Sequence, residues 1–362
     1  METIIIPRVL LISKRKRLYD IPDDRKSHRT PIPRLAGITF FPVLTLIFLP
    51  MTGVKALLLN DPTFAYSAAF IIRTAFGLCG CMVLVLMGIK DDLIGVRYSH
   101  KFILQIIAAF LLVASGTYLN NLYGLLGIHE IPYYMGIPLS IILIVYIINS
   151  INLIDGVDGL AATLSSIAAL VLGGCLLAHE NYHYTPMAFA LGGILVPFIY
   201  YNTVSKRKIF MGDTGSLTLG YILALLAIHY SIKESANIGK PDNLPIVIAW
   251  SVLFIPMFDT ARVMCVRAAR GKSMFQPDRN HIHHKLMSLG YKHKKITRTL
   301  ALCSTSLIVQ NLLVKTYFNI NLILMINIAQ AVLYNIYLNQ MIKKRKSFFI
   351  TNNSFKKNLT KC

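Results

Sequence analysis

The chain has 362 residues, of which 55% are hydrophobic and only 15% charged, with a mean hydropathy of +0.57. That balance excludes the pair of soluble domains that length alone would suggest. The 37 Lys and Arg against 16 Asp and Glu leave a net charge of +21. With so few charges in all, the basic residues must be concentrated in short stretches between apolar runs, as in the loops of a polytopic membrane protein. The six cysteines form no CxxC pair and no regular spacing, so neither a disulfide framework nor a zinc knuckle is expected. Nucleic-acid binding would need a soluble module, and none is present.

A bilayer core of about 30 Å takes roughly 20 helical residues. The opening METIIIPRVLLIS is apolar but ends after 13 residues at Lys14-Arg15-Lys16-Arg17, too short to cross and without the small-residue cleavage site of a signal peptide. It reads as an interfacial anchor or the stub of a first helix. Ten longer runs follow, at 36 to 55, 65 to 89, 102 to 119, 136 to 154, 158 to 178, 186 to 201, 215 to 232, 244 to 264, 298 to 315 and 319 to 341. The expected fold is an all-α integral membrane protein of about ten transmembrane helices plus the N-terminal stub. Residues 1–342 would form one polytopic domain and 343–362 a basic tail. Alternating the spans collects 32 of the 37 basic residues on one side, which the positive-inside rule assigns to the cytoplasm.

Acidic residues do nothing for that orientation, yet they cluster on the same side. Asp91 and Asp92 follow the run 65 to 89; as an adjacent pair at a helix end they could also be a solvated terminus. Next come Asn149, Asn152, Asp155 and Asp158, in the stretch NSINLIDGVDGL, which sets two amides and two carboxylates at a Gly-broken turn between spans. Asn149 and Asn152 are three apart and so share a helical face. Polar groups inside spans are expensive and suggest a functional site. The segment MGDTGS, 211–216, then brings Asp213, two hydroxyls and two glycines just before a helix starts. Either the N-terminal N–H groups and dipole of that helix are open to a phosphate, or Asp213, Thr214 or Ser216 is an ordinary N-cap.

The longest basic loop ends in PDRNHIHHK, with Arg279, His281, His283, His284 and Lys285. A tetrahedral zinc site would need further ligands, and only Asp278 is near. The cluster reads as donors for a pyrophosphate, against the plainer alternative of a solvated basic loop. Carboxylates beside basic and imidazole donors at one aqueous mouth suit a magnesium-phosphate reaction, since Mg²⁺ is typically held by one or two carboxylates plus substrate phosphates. No Walker A sequence occurs, which argues against an ATP-driven machine. A secondary transporter would also have many spans and polar residues, but its site would lie near the midplane and not at one face.

In order and spacing these motifs resemble the polyprenyl-phosphate N-acetylhexosamine-1-phosphate transferases. The likeness runs from LYDIPDDRKSH (18–28) and Ile32-Pro33-Arg34, through Asp91-Asp92, residues 149–160 and 210–220, to 277–286, and covers nearly the whole chain. It implies transfer of a sugar-1-phosphate, GlcNAc-1-phosphate foremost, from a UDP-N-acetylhexosamine to undecaprenyl phosphate. UMP would be released and cell-envelope glycan synthesis begun, in the bacterial inner membrane with the active site and C-terminus cytoplasmic. Mg²⁺ would be required, with Mn²⁺ as a substitute, and a homodimer is compatible. By position, Asp213 would be a metal ligand. Asp91, Asp92, Asp155 and Asp158 would be catalytic. Asn149, Asn152, Lys26, His28, Arg34, Asn202, Arg279, His281, His283 and His284 would bind substrate. The chain departs from the family pattern in having only a stub before Lys14, from a displaced start or a short first helix, and in Ala36-Gly37, where a Gly-Gly pair is usual. Within the class the alternative is the phospho-MurNAc-pentapeptide transferase, whose loop has three consecutive histidines where this one reads His281-Ile282-His283-His284.

Overall fold

The computed structural model describes residues 1–20, 31–59, 68–179, 181–232, 244–273, 280–315 and 317–359. Three of the expected site residues, Lys26, His28 and Arg279, lie outside these. The described residues form a helical bundle with two small antiparallel strand pairs. In chain order the elements are α1 (Glu2–Lys16), β1 (Tyr19–Asp20), β2 (Ile32–Pro33), a 3₁₀ turn (Ala36–Thr39), α2 (Phe40–Leu59), α3 (Ala68–Ile94) and α4 (Tyr98–Ala114). There follow β3 (Asn121–Leu125), β4 (Ile128–Glu130), α5 (Tyr133–Ile154), α6 (Leu160–Ala178), α7 (Thr185–Thr203) and α8 (Gly212–Ser231). The chain continues with α9 (Leu244–Ala268), the short α10 (Ile282–Ser288), α11 (His293–Val314) and α12 (Ile320–Leu359).

Each of the ten apolar runs falls on one of these helices. Among the described residues seven helices are long and apolar enough to cross a membrane: the run from Ala36 into α2, then α3, α5, α6, α8, α9 and α12. Helix α4 is shorter, at 17 residues. It stops at Ala114, not at the expected 119, because Ser115 turns its hydroxyl onto the Leu112 carbonyl (2.6 Å) and against Thr117 (3.1 Å), a local bond that competes with helix continuation. Helix α3 overshoots its expected end and carries Asp91 and Asp92 within its last turn. Helix α12 runs unbroken through Lys343, Lys344 and Arg345 to Leu359, so the basic tail continues the last apolar helix.

Helix α8 is the axis of the bundle. It packs against α3, α5, α6 and α9, and every one of its residues except Asp213 is buried. A helix surrounded on all sides has no polar face to offer, and α8 meets that demand by folding its hydroxyls back: Thr218 onto the Thr214 carbonyl (2.6 Å) and Ser231 onto that of Ala227 (2.8 Å). Peripheral helices instead turn apolar side chains outward, with Leu86, Ile142, Met325 and Leu333 all more than half exposed. Water would not tolerate so continuous an apolar surface; the molecule is a multi-pass membrane protein. The opening stub is helical as α1, with Ile6 and Leu10 buried where it meets α7 and the 3₁₀ turn.

Candidate active site

The N-terminus of α8 is wedged between α3 and the 3₁₀ turn. A Cβ on Gly88 would fall 2.4 Å from the Thr214 Cα, and one on Gly212, which has φ +71°, would fall 2.3 Å from the Arg34 carbonyl oxygen. Only glycine allows backbones this close. The segment before α8 runs beside residues 33–37, joined by Phe210 N–H to the Pro33 carbonyl (2.7 Å), Ala36 N–H to the Phe210 carbonyl (3.2 Å) and Gly37 N–H to the Met211 carbonyl (2.9 Å). This pairing brings Arg34 over the acidic cluster.

The Asp92 side chain is fully buried and spends both oxygens on α8. Its Oδ1 accepts the Asp213 N–H (2.8 Å), and its Oδ2 accepts the Thr214 N–H (3.0 Å) and hydroxyl (2.7 Å). The N-terminus of α8 is therefore capped by a carboxylate from α3. The arrangement differs from both expectations: Asp213, Thr214 and Ser216 do not cap their own helix, and the Asp213 and Thr214 N–H groups are taken by Asp92 and not open to a phosphate. An acidic partner supplied from another helix satisfies the same donors and the same dipole.

Asp213 itself points away from the helix end. Asn152 Nδ2 donates to its Oδ1 (2.7 Å) and to Ser216 Oγ (2.8 Å). Lys101 Nζ lies 3.4 Å and an Arg34 nitrogen 4.0 Å from Oδ2. Lys101 also pairs with Asp91, whose other oxygen accepts the Val96 N–H at 2.7 Å. Asp91 and Asp213 thus face each other with an ammonium between them. Asp155 ends α5 beside this cluster. Among the described residues its carboxylate has neither hydrogen bond nor ion pair, and burial, reinforced by the negative charge of Asp213, pushes its pKa well above the usual carboxylate range despite the opposing charge of Arg34.

The remaining expected residues divide in two. Asn149 faces α4, not Asp213, and pairs with Gln105 (2.6 Å). Asn202 is buried and tethers two loops, accepting the Gly159 N–H (2.5 Å) and donating to the Ile209 carbonyl (2.8 Å). Asp158 is paired with Lys208 (2.5 Å), and His293 Nδ1 lies 3.3 Å from its Oδ2. Burial would raise the Asp158 pKa, but His293 and Lys208 prevail and hold it below the ordinary value. His281 and His283 are buried, at 3% and 1% exposure, which overturns the solvated-loop alternative for both. Their rings stack 5.7 Å apart and nearly parallel, and His284 lies 4.2 Å beyond His283. His283 Nε2 is 3.2 Å from the position of a Cβ on Gly156, so the histidine row abuts the Asp155 turn. Burial, then the neighbouring imidazoles, press the His283 pKa down to about 3. Lys285 anchors α10 to α12 through Asn335 (2.5 Å) and Asn339 (2.9 Å).

Among the described residues no three His, Cys, Asp or Glu side chains converge on one position fit for a metal. Magnesium does not demand that: one or two carboxylates with substrate phosphates suffice. The oxygen-only donors of Asp213 and Asp91, which already share the Lys101 ammonium, fit such an ion.

The sequence profile of Glycosyl transferase family 4 matches residues 74–231, a span that holds Asp91, Asp92, Asn152, Asp155, Asp158 and Asp213. The decaprenyl-phosphate N-acetylglucosaminephosphotransferase of Mycobacterium tuberculosis is 31% identical over 80% of this chain and 73% of its own length. The chain belongs to glycosyl transferase family 4. A probable undecaprenyl-phosphate N-acetylglucosaminyl 1-phosphate transferase of Bacillus subtilis is 29% identical over 80% of the chain and 75% of its own length. The corresponding α-N-acetylglucosaminyl enzyme of Pasteurella multocida is 31% identical over 81% and 79%. As a family member the chain is a transferase, and four residues of its site escaped the sequence reading. Lys101 and Lys208 were legible only as loop charge, and His293 lies beyond the histidine motif. Asp259, an acidic residue inside an apolar helix, did carry a signal, since such residues are rare and functional in spans.

Proposed function

We propose that this chain transfers N-acetylglucosamine-1-phosphate from UDP-N-acetylglucosamine to undecaprenyl phosphate, releasing UMP and beginning a cell-envelope glycan. One observation carries the reading: at one end of an apolar bundle, Asp91 and Asp213 meet Lys101 and Arg34, beside Asp155, which has no partner among the described residues. The relatives above are named for N-acetylglucosamine-phosphate transfer with decaprenyl or undecaprenyl phosphate, and not for phospho-MurNAc-pentapeptide transfer or for transport. An apolar cavity of about 260 Å³ between α5, α8, α9 and α12, with Leu139, Leu143, Ile147, Trp250, Leu253 and Met257 in its walls, supports a polyprenyl tail lying along α5 toward Asn152. Counting α4, α7 and α11 with the seven apolar helices makes ten spans, and every site residue then falls at one face. The excess of basic residues there supports the cytoplasmic side of the bacterial inner membrane.

In the reaction a lipid-phosphate oxygen attacks the β-phosphorus of the UDP-sugar, the bond from that phosphorus to the bridging oxygen breaks, and UMP departs with the bridging oxygen. A phosphate monoester is largely dianionic at pH 7 and needs little help from a base. Lys101 and Arg34 neutralise the phosphates, which is most of what such a reaction asks of a protein. Asp92, with both oxygens on α8, is a positioning residue, and Asp91 remains to orient the lipid phosphate. Asp213, with Asp91 opposite, would hold Mg²⁺, which when bound supplies charge neutralisation to the diphosphate. Purified protein with undecaprenyl phosphate, Mg²⁺ and a panel of UDP-sugars tests the reading by UMP release and the mass of the lipid product. No UMP from any UDP-N-acetylhexosamine overturns it. Chelation should abolish turnover and Mg²⁺ or Mn²⁺, but not Ca²⁺, should restore it.

A further inference from the structure

Asp259 lies within α9, an apolar helix, and its side chain is 2% exposed. A carboxylate so buried is costly unless fully paired, and this one is. Its Oδ2 lies 2.9 Å from His281 Nδ1, the Ile282 N–H donates to both oxygens at 3.0 and 3.1 Å, and Arg262 donates to Oδ1 at 2.7 Å. Helix α10 has no side-chain cap of its own, so Asp259 closes its N-terminus. Arg262 grips the same segment, donating to the Asn280 carbonyl at 2.5 Å.

The consequence falls on His281. A carboxylate can only accept, so the proton facing Asp259 sits on Nδ1. Nε2 is left as the ring's working atom, buried and without a hydrogen-bond partner among the described residues. Because the His283 ring stacks nearly parallel on His281, at 7° between planes, and His284 follows His283, the orientation of the first ring sets that of the row against the Asp155–Gly156 turn. We propose that Asp259 is the positioning residue of the histidine segment. With Arg262 as its clamp, it fixes the tautomer and plane of His281 and the start of α10, and thereby holds the imidazole row over the reacting phosphates. That destination rests on the transferase reading above; the tautomer does not.

Asp259→Asn keeps the shape and exchanges one acceptor for a donor, which forces the His281 ring toward the other tautomer. The expected result is a loss of kcat of about 10²-fold or more, as when the orienting carboxylate of a catalytic histidine is neutralised, with little change in KM for undecaprenyl phosphate. Asp259→Glu should recover part of it. Nitrogen NMR of histidine-labelled full-length protein in detergent, assigned with His281→Ala, should show proton occupancy at Nδ1 of His281 in the wild type and its shift to Nε2 in Asp259→Asn. Asp259→Asn with His281→Ala should be no worse than His281→Ala alone, because the two act as one unit. Additive losses in the double variant, or an unchanged His281 tautomer in Asp259→Asn, would overturn the proposal. A wild type with no transferase activity, with the tautomer still altered in Asp259→Asn, would overturn the transferase reading and leave the positioning intact.

Discussion

Asp92 on α3 accepts the backbone N–H of Asp213 on α8 at 2.8 Å, so one aspartate of the site fixes the backbone from which the other projects. The two carboxylates are not interchangeable. Asp92 is sealed in the bundle, whereas Asp213 keeps 22% of its side chain exposed, and their substitutions should separate accordingly.

Asp92→Asn removes a charged acceptor from three donors inside the bundle. A loss of about 1–3 kcal/mol is expected, read as a lower melting temperature in detergent, with activity falling because Asp213 moves. Asp213→Asn keeps an oxygen for Asn152 and should stay within about 1 kcal/mol of the wild type while abolishing transfer. Equal stability losses in the two variants would contradict this division.

Asp155→Asn should make the protein more stable at neutral pH and less active. The carboxylate has no partner among the described residues and sits against the charge of Asp213, so neutralising it relieves desolvation and repulsion together. Sites that hold such groups commonly trade stability for function. A melting temperature below the wild type would show that Asp155 is held by contacts of its own.

His283 gives a pH dependence of known sign. Its folded pKa of about 3 lies below the ordinary 6.5, so the unfolded chain binds the extra proton between these values. Its contribution is complete above pH 6.5 and is lost as pH falls toward 3, amounting to about 2 kcal/mol at pH 5. Thermal unfolding between pH 7 and pH 5 should therefore steepen in the wild type and flatten in His283→Gln. Parallel curves would place the protonation elsewhere.

Gly88→Ala tests the close approach of α3 and α8. The added methyl meets the Thr214 backbone at 2.4 Å, not a side chain that could swing aside. Overpacking of this kind costs about 1–3 kcal/mol or more, and it should displace the Asp92 cap and reduce turnover. Gly53→Ala, where nothing lies within 4 Å, is the control and should behave as wild type.

Much of this protein was legible from residue order alone. Hydropathy located the seven helices long and apolar enough to cross a membrane among the described residues, because a segment in lipid must be apolar along its whole length, whatever its neighbours. The turn from Asp155 to Gly159, the MGDTGS segment and the histidine row stood out because polar groups at span ends need a reason to be there. Sequence could not assign partners to them. Asn149 and Asn152 share a face three residues apart, yet one meets Gln105 on α4 and the other Asp213 on α8, a difference set by which helix packs opposite each. Asp91 and Asp92 are adjacent in the chain and diverge about 100° around α3, so one turns to Lys101 and the other to the start of α8. The fold class follows from composition through the solvent it requires. The division of labour among the aspartates follows from helix packing, because a side chain's chemistry depends on the donors that reach it, and those come from residues far away in sequence.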